Sequence, residues 1–223
     1  MLVKICGISN VIDAMRAVKS GADAIGFVMG GDVLPVEVEP HAQRVREIIS
    51  NFPKEVDSYI VTHLMEVDDI IDLANYVKSS GIQVSEDIGL EKLEELRKRT
   101  DKRIIKTVVV GNGEKSVKDL KSFEPLCDYI LLDTRFGGYT GGTGVTNDWN
   151  LCKELIEMSN KPVFIAGGLN PENLSEAMKL TNPQGVDVST GVSTFCKEYL
   201  RKDRKDRDKI KKFIETAKSF KTD

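Results

Sequence analysis

Pro162-Val163-Phe164-Ile165-Ala166-Gly167-Gly168-Leu169-Asn170, followed by Gly185-Val186-Asp187-Val188-Ser189-Thr190-Gly191, is the stretch that decides the fold. Each run is short, apolar and rich in β-branched residues, and each breaks into glycine, the pattern of a buried strand that ends in a tight turn. Runs of the same kind recur toward the N-terminus, at Leu2 to Cys6, Ala24 to Val28, Ser58 to Thr62, Ile82 to Val84, Ile104 to Val110 and Tyr129 to Leu132. Stretches with helical spacing separate them, such as Ala14, Ala17 and Val18, or Leu90, Leu93 and Leu96, and cap-like Asn10, Asp68 and Asn147 mark helix starts. Strict alternation of strand and helix implies a parallel sheet with helices outside, and about eight units favour closure into a (β/α)8 TIM barrel over an open doubly wound sheet. No linker or low-complexity tract interrupts the pattern, so residues 1–223 read as one domain.

Charge and cysteine usage narrow the function classes. Thirty-two Lys and Arg against 35 Asp and Glu leave a net charge of −3, without the global basic field that attracts nucleic acid or anionic membrane. The run Lys197 to Lys212 reads as a solvated loop leading into a last helix, because Glu198, Asp203, Asp206 and Asp208 dilute its lysines and arginines. Cys6, Cys127, Cys152 and Cys196 are scattered, without metal-site spacing, and read as reduced thiols of a cytoplasmic protein. With no apolar span of membrane length, the expected partner is a small molecule, bound by a monomer or homodimer.

Strand parity then selects the polar residues that need explaining. Side chains alternate between the inside of a barrel and its helices, and catalytic groups sit at the C-terminal strand ends. Lys4 and Cys6 share the inward parity of the first strand, Tyr129, Leu131 and Asp133 that of the sixth, Asp187 and Ser189 that of the eighth. Alone, a strand cysteine suits packing and a post-strand aspartate suits a helix cap; together they aim titratable groups at one mouth. Cys6 also precedes Gly7-Ile8-Ser9-Asn10, where an apparent helix start would favour a partly ionised, accessible thiolate. Gly167 and Gly168 after the seventh strand, with Ser189, Thr190 and Gly191 after the eighth, occupy the places where barrels bind phosphate through backbone N–H groups. A third glycine segment, Gly137 to Gly144, includes Gly141 and Gly142 and is long enough to serve as a ligand-facing loop after Asp133.

In this order the motifs resemble one family, the phosphoribosylanthranilate isomerases of tryptophan biosynthesis. The resemblance covers nearly the whole chain: Lys4-Ile5-Cys6-Gly7-Ile8, Gly21-Ala22-Asp23-Ala24-Ile25-Gly26-Phe27, Leu131-Leu132-Asp133-Thr134, Gly141-Gly142-Thr143-Gly144 with Asp148-Trp149, Ala166 to Asn173, and Gly185 to Val192. It implies a (β/α)8 barrel carrying out an Amadori rearrangement of N-(5-phosphoribosyl)anthranilate, with Cys6 matching the general base, Asp133 the general acid, and no metal or organic cofactor. Two positions depart from the family pattern. Val36 stands where the family usually has the arginine that pairs with the anthranilate carboxylate, and Ser85-Glu86 replaces His-Gly at the fourth strand. Three readings are compatible with this: an authentic isomerase with Arg135 as substitute cation, a paralogue acting on another phosphosugar, or a phospho-ligand binder without turnover. Retention of both Cys6 and Asp133 speaks against the last.

Overall fold

The structure, a computed structural model, describes residues 1–30, 40–111, 113–136, 139–140, 148–196 and 201–220. Eight parallel strands alternate with eight helices: β1 Leu2–Ile5, α1 Val11–Lys19, β2 Ala24–Met29, α2 Pro40–Ser50, β3 Asp57–Thr62, α3 Val67–Val77, β4 Gly81–Val84, α4 Leu90–Arg99, β5 Arg103–Val110, α5 Glu114–Phe123, β6 Tyr129–Phe136, α6 Trp149–Met158, β7 Val163–Ile165, α7 Leu174–Thr181, β8 Gly185–Val188 and α8 Arg207–Ser219. Each strand pairs with its sequence neighbours, β6 pairs with both β5 and β7, and β1 with β8, so the sheet closes on itself. The barrel expected from the alternation is thus present, with every anticipated strand within a residue or a few of its observed bounds.

Parity accounts for two separate cores. Val3, Ile5, Ile25, Phe27, Val186 and Val188 face outward and pack against helix residues such as Ala14, Ala17 and Phe213, all in one large cluster. Inside the barrel, Ala24, Tyr59, Ile105, Leu131, Phe164 and Ala166 form a smaller cluster with Tyr129 against it. Tyr129 meets Phe164 edge-on, with ring centroids 5.5 Å apart, a geometry that suits the aromatic quadrupoles. This apolar plug leaves the inward polar groups one layer higher, at the C-terminal mouth.

Helix starts follow the capping logic only in part. Asn10 Oδ1 accepts from the Asp13 amide at 2.9 Å and caps α1. Asp68, read as a cap, lies instead inside the first turn of α3, which begins at Val67 after Glu66; its charge there complements the helix dipole. Asn147 lies outside the described residues, and the cap of α6 is Asp148, whose Oδ1 accepts from Asn150 and Leu151. The charge-rich run after β8 is also corrected. Ser193–Cys196 and Arg201–Lys205 pair antiparallel as a hairpin, and Lys205 is buried rather than solvated. Its ammonium donates to the Ser189 carbonyl at 2.9 Å and reaches Ser193 Oγ at 3.2 Å, while its own amide donates to Asp13 Oδ2. A mixed-charge run hides such a residue because its solvation is decided by strand pairing, not composition. Among the described residues, no helix is long and apolar enough to cross a membrane.

Candidate active site

A cavity of about 270 Å3 opens at the C-terminal mouth, lined by Cys6, Asp133 and Asp187, by His63, Gln83 and Ser85, and by the segments Ala166–Leu169 and Val188–Thr190. The rim groups selected by parity therefore converge. Gly141 and Gly142 lie outside the described residues, as do Val36 and the Arg135 side chain.

The base of the cavity is electrostatic. Lys4, fully buried on β1, donates from Nζ to Asp187 Oδ1 at 3.0 Å. Burial by itself would push the Lys4 ammonium toward neutrality, but Asp187 and Cys6 more than offset it and hold its pKa above the usual lysine value. A buried ion pair of this kind is costly to desolvate and adds little net stability, so its value is the field it sets up. Gly26 on β2 makes room for it: a Cβ there would sit 3.0 Å from both Lys4 Nζ and Cys6 Sγ and 3.1 Å from a Val61 methyl. The sequence had placed Lys4 inside without giving it a role; its partner lies 183 residues away.

Cys6 departs from the expected accessible thiolate. It is 6% exposed, and burial pushes its pKa upward, with Lys4 opposing and Asp187 adding to the rise. The helix expected after it is present, capped by Asn10 and beginning at Val11. The cations that favour a thiolate here are Lys4, which also hydrogen-bonds it, and Lys205. Asp133 is also buried, which raises its pKa to about 7. The Thr134 amide, donating to Asp133 Oδ1 at 2.7 Å, and Lys4 oppose that rise, while Asp187 adds to it. A carboxyl group that is half protonated near neutrality can deliver a proton there.

Beside these groups, after β7 and β8, two glycine segments meet. Gly167 and Gly168 adopt φ of +81° and +67°, and a Cβ on Gly191 would lie 1.9 Å from the Leu169 carbonyl oxygen. The backbones after β7 and β8 thus pack directly on each other, and Ser189 and Thr190 line the cavity beside them. Backbone amides brought together this way suit an anion. Asp187, which the sequence groups with the ligand-binding rim, faces the same cavity, and its Oδ1 accepts from Lys4.

An acid and a thiol inside the mouth of a closed barrel, with a backbone anion cradle after its last two strands, define a barrel enzyme for small phosphorylated ligands. Comparison with known proteins narrows this. The family described as N-(5'phosphoribosyl)anthranilate (PRA) isomerase matches residues 3–216. A Methanothrix thermoacetophila N-(5'-phosphoribosyl)anthranilate isomerase is 34% identical over 97% of this chain and 98% of its own. The crystal structure of phosphoribosyl anthranilate isomerase from Thermotoga maritima superposes with a TM-score of 0.81 at 33% identity, covering 99% of this chain and all of that one. A structure of such an isomerase in complex with reduced 1-(o-carboxyphenylamino)-1-deoxyribulose 5-phosphate matches with a TM-score of 0.78 at 32% identity, covering 99% of this chain and 100% of that one. The chain belongs to the N-(5'-phosphoribosyl)anthranilate isomerase family.

Proposed function

We propose that this chain isomerises N-(5-phosphoribosyl)anthranilate to 1-(2-carboxyphenylamino)-1-deoxyribulose 5-phosphate in tryptophan biosynthesis, with Asp133 as general acid and Cys6 as general base. The observation that carries the assignment of roles is the placing of these two titratable groups, from β6 and β1, in one cavity whose rim is the glycine cradle. With phosphate held by Gly167, Gly168, Ser189, Thr190 and Gly191, the ribose lies between acid and base. Asp133 protonates the ring oxygen, the ring opens to a Schiff base, and Cys6 removes the proton from the adjacent sugar carbon. The resulting enolamine gains a proton at the first carbon and loses its hydroxyl proton, which completes the isomerisation without net proton change.

Burial gives the pair an unusual proton inventory. Asp133 releases its proton near pH 7 while Cys6 holds its own to higher pH. In between, the pair shares one proton that resides mostly on sulfur, and the productive arrangement is the minor tautomer with thiolate beside Lys4 and proton on Asp133. The ammonium of Lys4 raises that tautomer's share. Turnover of freshly generated N-(5-phosphoribosyl)anthranilate, followed by the loss of anthranilate fluorescence, tests the reading. Steady turnover that is lost in both Cys6→Ser and Asp133→Asn supports it; a folded wild type without turnover points to another phosphosugar.

A further inference from the structure

Among the described residues, the function proposed above has so far assigned no partner to the aglycone end of the ligand. Phosphate at β7 and β8 directs the aglycone across the mouth toward β3 and β4, which lie diametrically opposite in the closed strand order. At that wall stand His63 after β3 and Gln83 and Ser85 at the end of β4. Among the described residues lining the cavity, His63 is the side chain able to carry positive charge. Its Nδ1 lies 2.9 Å from Glu86 Oε1, so the carboxylate accepts from Nδ1–H and fixes the ring with Nε2 as its second polar edge.

Glu86 is itself held in place. Lys106, on the outward face of β5 and 2% exposed, donates to the carbonyls of Glu86 at 2.9 Å, Thr107 at 3.0 Å and Val84 at 3.3 Å, over the face of Phe123. A buried lysine with three carbonyl acceptors pins the turn that carries Glu86. In the same wall Gln83 Oε1 is buried with no hydrogen-bond partner among the described residues. A buried unpaired acceptor costs stability unless a ligand donor meets it, and an aromatic amine with an ortho carboxylate offers an N–H beside its anion.

We propose that His63, oriented by Glu86 on the turn that Lys106 clamps, binds the carboxylate of the aglycone in place of the arginine that Val36 replaces. The inference rests on the function proposed above. In the complex the His63 ring then lies between two carboxylates, that of Glu86 at Nδ1 and that of the ligand at Nε2. His63 is a specificity residue, away from the bonds that break; Glu86 and Lys106 are positioning residues.

The test is steady-state kinetics on His63→Gln, His63→Lys and Glu86→Gln with N-(5-phosphoribosyl)anthranilate. Competition by anthranilate, anthranilamide and inorganic phosphate is measured alongside. Loss of one charge-assisted contact corresponds to about a ten- to hundredfold change. The expected result is KM raised by that factor in His63→Gln with kcat changed less than about threefold, and partial recovery in His63→Lys. Anthranilate, but not anthranilamide, should lose potency as a competitor. Inorganic phosphate should compete equally with wild type and variant, which shows that the variant is folded with its cradle intact. An unchanged KM in His63→Gln, or equal loss for anthranilate and anthranilamide, overturns the assignment while leaving the isomerase reading standing. Absence of turnover in the wild type overturns both.

Discussion

Replacing Asp133 by asparagine should make the protein inactive and, above neutral pH, more stable than the wild type. The magnitude follows from burial. The Asp133 carboxyl is 8% exposed and its pKa is raised to about 7 from an ordinary 3.8, so little solvent screening discounts the effect. A group whose folded pKa is raised contributes stability that is complete below the unfolded pKa and is lost as pH rises through the folded one. Integrated over a shift of about 3 units, linkage places that loss at about 4 kcal/mol by pH 8, of which about 3 kcal/mol falls between pH 4.5 and 7.5. Asparagine keeps the acceptor for the Thr134 amide and cannot ionise, so its stability should be flat relative to wild type in this window. Neighbouring titrations lie elsewhere. The raised pKa values of Lys4 and Cys6 act only above pH 9. Lys106, lowered to about 8 by burial, acts with opposite sign, its contribution growing as pH rises from 8. Thermal unfolding of both proteins across pH 4.5 to 8 is the assay, with the variant melting about 6–12 °C higher at pH 8 and the two converging near pH 4.5. A difference that does not change with pH would mean that the carboxyl is hydrated and ionised in the fold, and the argument for a neutral acid would fail.

Three further outcomes are expected. In the free enzyme, kcat/KM should rise with pH through about 7 and fall only above pH 9, the profile of a pair that needs one shared proton; a maximum below pH 6 would rule that inventory out. Cys6→Ser should lower kcat by roughly two orders of magnitude or more with the melting temperature nearly unchanged, since serine fills the same site with a far weaker base; near-normal turnover would remove Cys6 from the mechanism. Inorganic phosphate should raise the melting temperature of the wild type by mass action but not that of Gly191→Ala, where the new methyl would need the space of the Leu169 carbonyl; an equal shift in both would place the anion elsewhere.

The fold was legible because its signal is local. Apolar β-branched runs and two-residue parity locate the strands, and parity alone put Cys6, Asp133 and Asp187 at one mouth. The electrostatics were not legible, since they depend on separation in space. Lys4 was visible as an inward charge, but only closure of β1 on β8 supplies Asp187 as its partner. The residues that follow Cys6 suggest an accessible, partly ionised thiolate, whereas burial pushes its pKa upward. His63 carried no signal as a single histidine after a strand; its meaning comes from Glu86 on the next turn. Lys205 was hidden by the mixed charges around it.

The seam between β1 and β8 also dictates an order of events during synthesis. β1 is made first, yet one of its two sheet partners is the last strand of the barrel, and the ammonium beside Cys6 finds its counter-ion only when Asp187 arrives. Contacts of such long sequence separation form late in folding. With synthesis proceeding at roughly 5–20 residues per second, Cys6 spends on the order of ten seconds or more beside an unpaired lysine. Until then no barrel wall covers the thiol. Completing the barrel is what buries it.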